Sequence, residues 1–349
     1  MNIVLLILVL LFASEMRFAE RNQFFDDYCS VRKTNAIKGI VAVAIFLSHS
    51  MDYLHLEEGD LWVEYFSEYL RQLIVVPFLF YSGFGIMESI KKKGLPYIKT
   101  IPVRRILRTI LYADVAVLAF AVLYLVKGWS LSWKQFLLSL VFWDKIENDT
   151  WYFFVIVFLY LFTYIAFRVF HKNHYLAAAV TAVLSLPLFF ILIETKSIIW
   201  YNTFFLYHFG MWYSLIRKPV EKIVMHNDFA YCAAMLLAFM AYSFFRNFGS
   251  FYYFIICGCF LMTLIVGVTM KVNIDNPLLQ YLGRNVQGIY IFHRLPLRLT
   301  KEMNMDTVSK FIFSLFATAV LCFLFEYVTK WIDRTIISRF EKEKNKFGS

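Results

Sequence analysis

The sequence predicts an all-α, polytopic integral membrane protein with a ten-helix core and a short hydrophobic segment ahead of it. Three observations predict this. Of 349 residues, 60% are apolar and only 17% are charged, against roughly 45–50% and 25% in soluble domains. Mean hydropathy is +0.60. The apolar residues are gathered in stretches of the ~20 residues that a helix needs to cross a bilayer. A soluble core of this size could not bury so much apolar surface. The same balance excludes a disordered chain and a disulfide-stapled secreted scaffold. The net charge of +10 is no sign of a nucleic-acid partner, because a polytopic chain places its surplus Lys and Arg on the cytoplasmic side.

Taken in order, ten stretches fit a spanning helix: 36–54, 72–90, 106–126, 151–170, 175–193, 198–216, 229–245, 251–270, 278–293 and 309–329. An eleventh, 3–14, is short. Residues 1–5 lack the Lys or Arg that opens a signal peptide, so an uncleaved segment is expected. Residues 135–143 are too short to span and are expected to be interfacial or re-entrant. The domain reading is an N-terminal hydrophobic segment and connector at 1–31, a membrane domain at 32–332, and a basic cytoplasmic tail at 333–349. The five cysteines read as reduced packing residues.

Basic residues set the orientation. The connections that share a side with 91–108 and the C-terminus hold twenty Lys and Arg; the opposite set holds ten, and its first loop, 52–71, carries six acids. The protein is thus expected in the cell membrane as a multi-pass chain with its C-terminus cytoplasmic.

Ionisable groups at bilayer depth are costly and tend to be functional or paired. Here they are His49, Glu88, Asp114, His208, His293 and Glu326. In the first main helix, Lys38 and His49 are eleven apart, three turns plus a small rotation, hence on one face and ~16 Å apart. Asp52 and Tyr53, three and four residues beyond His49, can orient its ring. The bland alternative is a snorkelling lysine and a packed histidine. Ser82-Gly83 follows Pro77 and permits close approach of a neighbouring helix. Arg105 and Arg108, among further lysines at a helix start, can clamp phosphates or simply mark the cytoplasmic side. Trp151-Tyr152-Phe153 reads as an interfacial aromatic run. Gly283-Arg284-Asn285 leads to Tyr290 and His293 near the outer end of the ninth helix.

In order, these motifs resemble acyltransferase family 3, polytopic membrane acyltransferases that modify cell-surface glycans and lipids. The family has a Lys or Arg and a His separated by ten residues, here Lys38 and His49. Ser82-Gly83-Phe84, the Arg105/Arg108 pair, Trp151-Tyr152-Phe153, and the late set Gly283, Asn285, Ile289, Tyr290 and His293 follow. The resemblance covers about 32–332. The chain departs at Val286, where the family often has Ser, at Arg294-Leu295 before Pro296, and at Gly85 after Phe84.

The resemblance implies an O-acyltransferase that moves an acyl group, usually acetyl, from cytoplasmic acyl-CoA to a hydroxyl of a cell-surface or lipid-linked saccharide. Lys38, Arg105 and Arg108 would bind acyl-CoA, with acetyl-CoA the expected co-substrate and no permanently bound cofactor or metal. His49 would act as general base or carry the acyl group briefly. Asp52, Tyr53 and Ser82 would support it, while Trp151, Tyr290 and His293 would serve the acceptor. The expected partners are membrane lipid and a saccharide or glycolipid acceptor. The competing reading is a transporter or flippase of a glycan or lipid-linked glycan, with Glu88, Asp114 and Glu326 as coupling groups. The sequence shows no inverted repeat to favour it.

Overall fold

The computed structural model describes residues 10, 12–13, 15–54, 73–146, 150–248 and 250–340. A strand, β1 (Met16–Phe18), precedes α1 (Val31–Leu54). A 3₁₀ turn at Leu73–Val75 enters α2 (Val76–Ile101), and a π-helical turn at Pro102–Leu107 joins it to α3 (Arg108–Lys127). Then come α4 (Trp133–Leu140), α5 (Trp151–Val169), α6 (His174–Thr195), α7 (Leu206–Val224), α8 (Asp228–Arg246) and α9 (Phe251–Lys271). After β2 (Val272–Ile274), three short helices follow: α10 (Pro277–Arg284), α11 (Val286–Phe292) and α12 (Arg294–Thr300). The last long helix is α13 (Thr307–Ile332), ending in a second π turn at Asp333–Ile337.

The protein is an all-α polytopic membrane protein. Among the described residues, seven helical stretches are long and apolar enough to cross a membrane. One of them, Leu73–Lys127, contains the second and third expected helices. Large apolar side chains on α8 and α13, such as Phe229, Leu237, Phe316 and Phe323, are exposed, as a lipid-facing surface requires. The Trp133–Leu140 segment is a helix of only eight residues, too short to span.

Three expectations need correction. The sixth helix begins at Leu206, not 198, and runs on to Val224. Its polar end is held by an i,i+4 pair, Arg217 Nε to Glu221 Oε1 at 2.6 Å. The ninth is broken into α10, α11 and α12. Asn285 turns its side-chain amide onto the Tyr281 carbonyl (3.1 Å), and Pro296 brings no N–H to the chain after His293. The basic stretch 91–108 is helical rather than a loop. It bends at Gly94 (φ 58°), a left-handed conformation that glycine adopts without steric cost. The 3–14 segment, apart from residues 10, 12 and 13, lies outside the described residues, as do 55–72 and 341–349.

The chain forms two compact units, Met1–Glu88 with Ile191–Val286, and Ser89–Phe190 with Gln287–Ser349. In the first, helices meet backbone to backbone at glycines. A Cβ on Gly39 would overlap the Leu279 carbonyl, and one on Gly283 would overlap that of Asn35. The order of these contacts makes α1 and α10 antiparallel. α2 and α7 cross in the same way, with Gly83 under Tyr207 and Gly210 under Phe80. The two strands pair antiparallel, Met16 opposite Ile274, and fasten the N-terminal arm to the end of α9. In the second unit α3 and α13 are antiparallel partners. Tyr112 lies edge-on to Phe325 at 5.8 Å and reaches the Thr329 carbonyl at 3.4 Å.

Candidate active site

In the first unit, α1 is continuous through Lys38 and His49, so both keep one face of the helix. Both are half-buried. His49 Nδ1 stands 3.7 Å from Asp52 Oδ2, with the two side chains 20% and 34% exposed. That is an ion-pairing distance, longer than a hydrogen bond. Tyr53 occupies the next position and is half-buried, as is Ser82 on α2. The motif glycines have a structural explanation: Gly83, beside Ser82, and Gly283, in the late motif, are helix crossing points. They fix the levels of α2 and α1.

Sequence reasoning missed the polar network at the start of α1. Tyr28 is buried, and its hydroxyl lies 2.7 Å from that of Tyr213. Arg217 Nε donates to Tyr28 Oη at 3.1 Å, and its terminal nitrogen donates to the Asp26 carbonyl at 3.1 Å. Burial pushes the Tyr28 hydroxyl well above its ordinary value and the Cys29 thiol up to about 12. All five cysteines are free. Lys33 is also buried. It pairs with Asp27 at 2.6 Å and lies over the Phe25 ring at 4.1 Å. The available signal was Asp26-Asp27 ahead of Arg32-Lys33, opposite charges on a segment read only as a connector. Farther along, Ser214 Oγ donates to Glu88 at 2.7 Å. Asn202 and Thr203, before α7, are fully buried, with no hydrogen bond from either side chain among the described residues.

In the second unit, Pro102 has no amide hydrogen for the carbonyl four residues back, and the ladder widens. The Arg108 amide reaches the Val103 carbonyl, five residues behind. Such π turns recur at functional sites. The two arginines expected on one face have different partners. Arg105 Nε donates to Tyr97 Oη at 3.1 Å, and its guanidinium lies 6.0 Å from the Tyr160 ring centre. Arg108 Nε donates to Tyr112 Oη at 3.0 Å, and its terminal nitrogen pairs with Asp333.

The same unit gathers the aromatic residues. Tyr290 lies 5.7 Å from Tyr152 and 5.8 Å from Phe153, and Trp151 is 6.1 Å from Tyr152, ring centre to ring centre. His293 is fully buried, 6.4 Å from the Tyr290 ring, with Nδ1 2.9 Å from the Ile289 carbonyl. A carbonyl oxygen only accepts, so Nδ1 is the donor in that contact. His293 stands between α11 and α12, inside the broken ninth segment, rather than near the end of one long helix. Glu326 pairs with Lys330 at 2.6 Å.

The first unit thus holds an imidazole beside a carboxylate, and the second holds Arg105, Arg108 and an aromatic group around Tyr290 next to His293. Residues 32–327 match the family model of an acyltransferase domain. The chain therefore belongs to acyltransferase family 3, and is by family a membrane acyltransferase. Neither a curated protein nor a solved structure matches it.

Proposed function

We propose that this protein is an O-acyltransferase, with acetyl the expected group, acting from cytoplasmic acyl-CoA on a hydroxyl of a cell-surface or lipid-linked saccharide. The observation that carries the reading is His49, a half-buried imidazole 3.7 Å from the Asp52 carboxylate in a chain of an acyltransferase family. Acyl transfer to a hydroxyl needs a base that gains and returns one proton near neutral pH. In the reading, the imidazole takes the acceptor's hydroxyl proton as its oxygen bonds to the thioester carbonyl carbon. The C–S bond then breaks, and the imidazolium returns the proton to the CoA sulfur. The products are an ester and free CoA.

Arg105 and Arg108 serve the donor's phosphates in this proposal, because guanidinium forks match phosphate oxygens. Lys38 is a further donor-binding cation. Trp151, Tyr290 and His293 serve the acceptor, aromatic faces and an imidazole being suited to a sugar ring with its hydroxyls. The test is mass spectrometry of surface glycans from cells with and without the protein. An acyl ester that disappears with the gene, returns with the wild type and stays absent with His49→Ala supports the reading. Unchanged acylation, with altered glycan export instead, would favour translocation.

A further inference from the structure

Arg108 is engaged at both ends of its guanidinium. Nε donates to Tyr112 Oη at 3.0 Å, with the guanidinium carbon 5.1 Å from the Tyr112 ring centre. The terminal nitrogen pairs with Asp333 Oδ2. Asp333 opens the π turn at the end of α13, and Arg108 directly follows the π turn after α2, so two irregular helix ends meet at one ion pair. Tyr112 in turn donates to the Thr329 carbonyl, which ties the arginine's other end to α13. The pair is partly exposed, Arg108 at 44% and Asp333 at 33%, while the second carboxylate oxygen, Oδ1, is buried without a hydrogen bond among the described residues. The arginine nitrogen that a phosphate would take is thus held by a carboxylate of the same chain.

We propose that Asp333 is a built-in competitor at the donor site, occupying Arg108 until a phosphate displaces it. This rests on the reading of Arg108 as a donor-binding residue. A phosphate monoester carries about −1.5 to −2 charges at pH 7 and three acceptor oxygens, whereas a carboxylate carries one charge. A phosphorylated donor can therefore outbid Asp333, and a mono-anionic or uncharged thioester cannot. Asp333 in this way sets specificity for a nucleotide-bearing donor and keeps Arg108 from capturing weaker anions.

The experiment measures CoA binding to the purified full-length protein in nanodiscs at fixed ionic strength, for the wild type, Asp333→Asn, Asp333→Ser, Arg108→Ala and Arg108→Ala/Asp333→Asn. Exposed ion pairs contribute little, so both Asp333 variants should bind CoA about two- to fivefold more tightly. Arg108→Ala should bind more weakly, and adding Asp333→Asn to it should change nothing further. Binding unchanged or weakened by Asp333→Asn, with Arg108→Ala still weakened, would overturn the competition and leave Arg108 as a donor residue. CoA affinity indifferent to Arg108 would overturn the donor reading itself.

Discussion

Gly83 lies directly against the carbonyl of Tyr207, so α2 and α7 touch backbone to backbone. The contact is reciprocal, because Gly210 of α7 lies against the Phe80 carbonyl of α2. A methyl group at either place meets main chain, which cannot rotate away. Gly83→Ala should therefore destabilise the protein by about 1–3 kcal/mol through overpacking. Gly85→Ala, where a Cβ meets nothing within 4 Å outside its own helix, should be neutral or mildly stabilising. Thermal unfolding in detergent compares the two. Adding Gly210→Ala to Gly83→Ala should cost less than the sum, since the helices have already parted. Equal melting of the Gly83→Ala and Gly85→Ala variants would contradict the crossing.

The N-terminal arm is part of the first unit's core. Tyr28→Phe removes a buried hydroxyl that accepts from Arg217 and bonds Tyr213. Leaving buried partners unsatisfied costs about 1–3 kcal/mol. The expected outcome is a lower melting temperature and faster proteolysis of residues 20–30. The Tyr28→Phe/Tyr213→Phe double variant should lose less than the two single losses together, because removing both partners leaves less unsatisfied.

The sequence displayed what faces lipid and concealed what faces protein. α8 buries only Ala238 fully, and its apolar run was plain. α7 was misplaced because Arg217 and Glu221 look like loop residues until their pairing is seen. Gly83 and Gly283 were legible as motif residues, but their partners, Tyr207 and Asn35, are far away along the chain. The i,i+3 rule placed Arg105 beside Arg108, but it could not reveal that Tyr97 engages the one and Tyr112 with Asp333 the other. Asp333 stood in a basic tail with nothing to connect it to Arg108, 225 residues earlier.

The orientation inferred from charge makes a direct prediction. Lys91, Lys92 and Lys93 are exposed and belong to the side with the larger basic count. In a cysteine-free background, Lys93→Cys should resist a membrane-impermeant maleimide applied to intact cells and react after permeabilisation. Reaction in intact cells would reverse the topology.

Asp306 caps α13, accepting from the amides of Val308 and Ser309 at 3.0 Å each and from Ser309 Oγ at 2.5 Å. The Ser309 hydroxyl, foremost, and these amides hold its carboxyl below the ordinary aspartate value. A folded-state value lowered in this way gives stability that is complete above the ordinary aspartate range and fades as pH falls through the lowered value. The melting-temperature gap between wild type and Asp306→Ala should therefore be widest at neutral pH and close on acidification below about 4. A gap constant with pH would show that the carboxylate charge plays no part in the cap.

The central prediction concerns His49 and Asp52 together. Catalytic hydrogen bonds are often long before substrate arrives and shorten in the working complex, so the 3.7 Å separation suits a carboxylate that steadies the imidazole during transfer. Asp52 stands one turn along the same helix, and this turn lies inside the continuous α1. If His49 is the base, His49→Ala should lower turnover by ~10²–10⁴-fold while CoA still binds, because the proposed donor contacts involve other residues. Added imidazole should restore part of the rate, an outcome that a merely structural histidine would not give. Asp52→Asn keeps the shape and removes the charge. It should lower kcat less than His49→Ala and leave the KM for acetyl-CoA unchanged, as befits a group that positions a base rather than binding the donor. The assay is CoA release by purified protein supplied with acetyl-CoA and the acylated glycan's unmodified form. Near wild-type turnover of a correctly folded His49→Ala protein would remove His49 from the chemistry, and a raised KM for acetyl-CoA in Asp52→Asn would place Asp52 with the donor instead.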